Sequence, residues 1–134
     1  MELTQLHGDY AVARSGPATP VPEGFLSGAG FLQDDFRTVS RTEDELSLVG
    51  PTAAITGNGI QMDKVEAGWT CFKVQGPFAF DETGIVAALS RALAKAEIGI
   101  FVISTFDTDY ILVKQENAEA AATVWRQDGH KVAT

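Results

Sequence analysis

The sequence predicts an α+β fold: two β-α-β-β-α-β modules in tandem, the first with reduced helices, each an antiparallel sheet with its helices on one face. Three observations carry this. Val39-Ser-Arg-Thr-Glu-Asp-Glu-Leu-Ser-Leu-Val49 returns, loosened, as Ile103-Ser-Thr-Phe-Asp-Thr-Asp-Tyr-Ile-Leu-Val113, setting Ser40 against Ser104, Glu45 against Asp109 and Leu48-Val49 against Leu112-Val113. Ile85, Leu89, Ala92, Leu93 and Ala96 form an apolar helical stripe, with Ser90, Arg91 and Lys95 opposite. The second half then reads, in order, as strand, helix, strand, strand, helix, strand. That is the split ferredoxin-like arrangement, and the first half holds an eroded version of it. The division is expected at 1–66 and 67–134.

In chain order, Gly8-Asp9 turns into a strand at Tyr10-Ala-Val-Ala-Arg14. Between residues 16 and 30 lie Pro17, Pro20 and Pro22 with Gly16, Gly24, Gly28 and Gly30, which leaves room for one or two helical turns near Pro22 to Leu26. Phe36 to Arg41 and Glu45 to Val49 make a hairpin across Thr42-Glu43-Asp44. Residues 51–59 are turn-rich, and Asp63 to Glu66 supplies a short edge strand before Gly68. Trp69 to Gln75 alternates like a strand. Asp81 is a good N-cap for a helix over Glu82 to Ala96, with Phe80 and Ile85 placed as a hydrophobic staple. Ile98 to Thr105 is apolar on both alternations and reads as a central strand. Asp109 to Lys114 pairs with it. Asn117 opens a second helix presenting Ala121, Val124 and Trp125, Gly129 stops it, and Lys131-Val132 begins a last strand.

Composition narrows the function. At 134 residues the chain can bury a substantial core, and no apolar run is long enough for a membrane span. The N-terminus lacks the basic start and apolar core of a secretory signal. A net charge of −8, with scattered basic residues, argues against nucleic acid. One cysteine, Cys71, cannot form an internal disulfide, which points to the cytoplasm.

Catalytic and metal signatures are weak. His7 and His130 have no ligand-spaced companions, so no metal or other cofactor is expected. Cys71 reads as a buried inert thiol, and Ser104 lacks a nucleophile elbow. Gly28-Ala-Gly30 lacks the context of a dinucleotide loop, and Trp69 and Trp125 read as core or interface aromatics. What remains is a binding constellation. An amino-acid carboxylate needs bare backbone N–H groups, which a helix start at Glu82-Thr83-Gly84-Ile85-Val86 would supply. Gly84 permits close approach to the main chain. The ammonium needs an acid, and Asp109 is available beside Ser104, Thr105 and Phe106. Asp107-Thr108-Asp109 also reads simply as a polar turn, and Glu45 as a solvated strand-start residue.

Gly76-Pro-Phe-Ala-Phe-Asp-Glu-Thr-Gly-Ile85 and Ile103-Ser-Thr-Phe-Asp-Thr-Asp-Tyr-Ile-Leu-Val113, with Tyr10-Ala-Val-Ala-Arg14, make the chain resemble the paired-ACT proteins related to the CASTOR arginine sensors. ACT modules are small β-α-β-β-α-β units that bind amino acids. The resemblance implies a regulatory protein rather than an enzyme, with its ligand held at a module interface by Glu82, Gly84, Ile85, Val86, Thr105, Phe106, Asp107 and Asp109. Thr83 and Ser104 belong to the same two segments. The implied partners are a free amino acid, a second copy in a homodimer and a possible protein target. A purely structural subunit and, less favoured, a small enzyme are the rival readings. One departure stands out: Glu97 occupies the position where the family usually has glycine, with Gly99 expected to absorb part of the turn.

Overall fold

The computed structural model describes residues 1–27, 35–57, 61–75 and 84–134. Two compact units divide the chain: Met1–Leu6 with Trp69–Thr134, and His7–Gly68 between them. The first six residues, on the N-terminal side of a cut at 66, therefore pack with the C-terminal half. The second unit is an insertion.

The inserted unit holds β2 (Tyr10–Ser15), β3 (Thr38–Arg41), β4 (Leu46–Pro51), the single-turn helix α1 (Thr52–Thr56) and the start of β5 (Lys64–Val74). β4 lies between β3 and β2, and β2 is bordered in turn by β5. Residues 22–26 form a turn rather than a helix, closed by Phe25 N–H on Pro22 O at 3.1 Å. In place of a helix, the buried Phe25 ring packs with Ala11, Ala13, Leu46, Leu48 and Ile55. Gly50 makes room for it, since a Cβ there would stand 3.1 Å from the ring. Asp9 pins the unit's ends: its carboxylate accepts from the Thr52 hydroxyl at 2.6 Å and from Gly68 N–H at 3.3 Å. At Gly68 (φ +83) the chain takes a backbone conformation that side chains disfavour. This lets the two short strands expected at 63–66 and 69–75 run on as one.

The C-terminal unit holds β1 (Glu2–Gln5), the rest of β5, α2 (Ile85–Lys95), β6 (Phe101–Ser104), β7 (Asp109–Lys114), a 3₁₀ turn (Gln115–Asn117), α3 (Ala118–Gln127) and β8 (Lys131–Ala133). Its strand order is β6-β7-β5-β1-β8. The β-α-β-β-α-β order is present, with β1 interposed: antiparallel to β5 (Leu3 beside Val74) and parallel to β8 (Leu3 beside Val132). Phe72, Val74, Ile111, Val113 and Leu3 share the sheet face that receives Leu89 and Leu93 of α2 and Ala121 and Trp125 of α3. Fully buried Trp125 donates to Leu89 O at 3.1 Å and meets Phe72 edge-on, centroids 5.1 Å apart.

Three local expectations need correction. β6 is an edge strand among the described residues, pairing with β7 alone; its two-sided apolarity suggests a central strand because burial by helices on one face imitates burial between strands. α2 begins at Ile85, after Gly84 at φ +83, so the helix does not run on from Glu82; Phe80, Asp81, Glu82 and Thr83 lie outside the described residues. Asn117 precedes α3 but its side chain makes no capping bond, because the chain enters through the 3₁₀ turn.

Both longer helices end alike. Ile98 N–H bonds to Leu93 O and Glu97 N–H to Ala94 O, each at 3.0 Å, while His130 N–H bonds to Trp125 O at 3.0 Å and Gly129 N–H to Arg126 O at 3.1 Å. In this closure one residue must be left-handed. It is Gly129 (φ +91) after α3 and Glu97 (φ +59) after α2, so Glu97 rather than Gly99 takes the turn. Exposed Glu97→Gly should raise stability by about 0.5–1 kcal/mol, the relief of left-handed strain less the added chain entropy. Thermal unfolding checks this: the melting temperature should rise by a few degrees.

Candidate functional site

The β6–β7 hairpin pairs Ser104 with Asp109, Val102 with Ile111 and Phe101 with Leu112. Because strand side chains alternate, Ser104 and Asp109 project on the face of Val102 and Ile111, the face that α2 covers. β5 runs antiparallel to β7, with Lys73 beside Tyr110. The end of β5 therefore lies at the same edge of the sheet as the hairpin turn. The chain leaves β5 there to reach α2, so the start of α2, the end of β5 and Asp109 belong to one end of the unit.

Local chemistry fixes the turn. Thr105 N–H bonds to Thr108 O at 2.8 Å, and the Thr105 hydroxyl bridges to Thr108 O at 3.1 Å and accepts Thr108 N–H at 3.3 Å. The hydroxyl does what a backbone carbonyl would do in an ordinary turn. Phe106 and Asp107 stand at the tip, Phe106 being 78% exposed. The Ser104 hydroxyl donates to the Asp109 carboxylate. A carboxylate has about four acceptor positions, so one serine leaves capacity for an ammonium. Buried Thr108 donates its hydroxyl to Val74 O, the last residue of β5. Nothing in the sequence marks Thr108 out from any turn threonine. Its role exists only once β5 lies beside the turn.

Of the ten candidate residues, Ser104, Thr105, Phe106, Asp107 and Asp109 come together on this one turn. Gly84, Ile85 and Val86 form the start of α2, and Ile85 packs on the core. Glu82 and Thr83 fall outside the described residues. Gly84 is left-handed, and a Cβ on it would meet no atom within 4 Å, so conformation rather than crowding calls for glycine here.

The internal repeat takes a different register from the one its letters suggest. β3–β4 pairs Ser40 with Ser47 and Arg41 with Leu46. Its turn is closed by Thr42, whose hydroxyl accepts Asp44 and Glu45 N–H, each at 3.1 Å, and whose N–H bonds to Glu45 O at 2.9 Å. Thr42 thus matches Thr105, and the residue matching Asp109 is Leu46, fully buried, rather than Glu45. The inserted unit's hairpin has no acid at this position.

On the face away from the helices, Cys71 is fully buried beside Leu112. Burial drives its thiol far above the ordinary range, which makes it inert. Tyr110 is shifted upward by burial, then by Cys71 and Asp107. Among the described residues no cluster of three or more His, Cys, Asp or Glu is set to hold a metal ion.

This architecture has known counterparts. The ACT domain family model matches residues 64–126. The bovine protein "Cytosolic arginine sensor for mTORC1 subunit 1" is 41% identical over 64 residues, which make up 46% of this chain and 20% of that protein. The chain therefore spans a small part of the curated relatives it matches. A solved Agobacterium tumefaciens protein, Atu0741, is 41% identical, with a TM-score of 0.80, over 98% of this chain and 90% of that one. The aspartate kinase regulatory subunit of Thermus thermophilus, 13% identical, shares the fold alone, with a TM-score of 0.62 over 93% of this chain and 95% of that one. The chain belongs to the ACT-domain family. Within it, this protein is a relative of the CASTOR-type sensors.

Buried Cys71 gives the fold a pH dependence of known sign. The unfolded thiol loses its proton near pH 8.5 while the folded one keeps it. Its contribution is whole below that pH and falls as pH rises, by up to about 1.4 kcal/mol per pH unit. Urea unfolding between pH 7.5 and 9.5 should show that decline in wild type and a flatter profile in Cys71→Ala.

Proposed function

We propose that this protein binds a free amino acid at the end of its C-terminal unit and acts as a regulatory sensor, without catalysis. The carrying observation is the meeting, at one end and on one face of a sheet, of an acidic hairpin (Ser104, Asp109) and the strand that leads into α2. Asp109 takes the ligand ammonium, and Gly84, Ile85 and Val86 offer main-chain N–H groups to its carboxylate. Glu82, Thr83, Thr105, Phe106 and Asp107 complete the set. The likeness to a cytosolic arginine sensor supports an amino-acid ligand and a cytosolic setting. Regulation arises if the ligand favours whichever arrangement buries it, by the difference in affinity alone. A protein target is the natural reader of that difference.

The chain is then two ACT-like modules, the first inserted in the second, working as a homodimer. Edge strand β6 (Phe-Val-Ile-Ser) carries no charge or proline to discourage pairing. A second copy adding there would bring modules side by side and place the ligand at their seam. Sedimentation at micromolar concentration should find a dimer; a monomer removes this part of the reading.

Thermal shift across the twenty amino acids tests the ligand. A tight one at about 100 times its dissociation constant should add close to ~2.7 kcal/mol, and Asp109→Ala should abolish the gain. One observation favours a purely structural subunit: the Ser104–Asp109 bond is also what a plain turn would form. Absence of a shift with every amino acid would select that reading.

A further inference from the structure

We infer that Thr108 is the positioning residue of this site, holding the approach to α2 in fixed relation to Asp109. The inference rests on the amino-acid-binding reading and names the residue that gives the site its geometry.

Thr108 is 6% exposed, and its hydroxyl donates to Val74 O. Val74 lies one residue past the last β5–β7 pair, Lys73 with Tyr110. The side chain therefore adds a bond where the ladder ends. On the opposite side Gln75 N–H bonds to Glu2 O at 2.8 Å. The end of β5 is gripped from both flanks just before the chain departs for α2. Asp109 directly follows Thr108, so the same residue that anchors the strand end also sets where the acid begins.

The inserted unit supplies an internal control. Its hairpin has the same threonine-closed turn, made by Thr42 in place of Thr105. There the match to Thr108 is Glu45, and the match to Asp109 is Leu46. An ionised glutamate has no proton to give a carbonyl. This turn forms without the staple, so the staple is not a requirement for closing such a turn. Staple and acid occur together in one hairpin and are both missing from the other. That association is expected if the staple serves the acid's site.

Thr108→Val keeps the volume and removes the donor, leaving Val74 O unsatisfied; Thr108→Ser keeps the donor. Amide hydrogen exchange on the full chain reads the coupling. In Thr108→Val, exchange at Gln75 and Gly84–Val86 should accelerate roughly tenfold, with amides of α3 unchanged, and Thr108→Ser should restore the wild-type pattern. Equilibrium dialysis against L-arginine, and against a mixture of the other common amino acids, reads the site. Retention should fall roughly five- to tenfold in Thr108→Val and recover in Thr108→Ser. Unchanged exchange at Gly84–Val86, or equal acceleration throughout α2, α3 and β7, overturns the inference. Wild-type protein that retains no amino acid overturns the sensor reading instead, and the exchange pattern then decides the positioning role alone.

Discussion

Trp125 is the residue around which the C-terminal unit is organised. Its indole N–H reaches Leu89 O on α2 while its ring meets Phe72 on the sheet, so one side chain fixes both helices against β5. Truncating a buried tryptophan typically costs about 3–5 kcal/mol. The site inherits this rigidity. The start of α2 can be aimed at the acidic hairpin only if α2 cannot slide on the sheet, and Leu89, Leu93 and Ile85 share the core that Trp125 completes.

The two hairpins show how a duplicated unit can keep its fold and lose a function. Both are closed by a threonine hydroxyl bonded to the chain three residues on. They differ on the far side of the turn. In the C-terminal unit a threonine reaches the neighbouring strand and an aspartate takes the next position; in the inserted unit these are Glu45 and a buried leucine. Leu46 adds to the core formed with Phe25 and Ile55, which stands in for a lost helix. At this position, packing has taken the place of an acid.

The likeness to the arginine sensors and to Atu0741 covers the residues that build this arrangement. Binding without chemistry also suits the side chains present. The thiol is held neutral by burial, and the acids of the hairpin lie at a turn rather than beside a nucleophile.

The sequence by itself determined the strands, the amphipathic helices and the acidic hairpin, because each is written in residues close together: the stripe from Ile85 to Leu93, the alternation from Trp69 on, the glycine stop at Gly129. Glu97 was legible too, since a helix end needs a left-handed residue wherever the chain turns back. Only the tertiary structure decided that β1 lies between β5 and β8, that β6 is an edge, that Leu46 and not Glu45 matches Asp109, and that Thr108 grips Val74. Each of these depends on which strand lies beside which and in what register. Pairing joins residues far apart in the chain, and a shift of one residue changes every partner while leaving the local pattern intact.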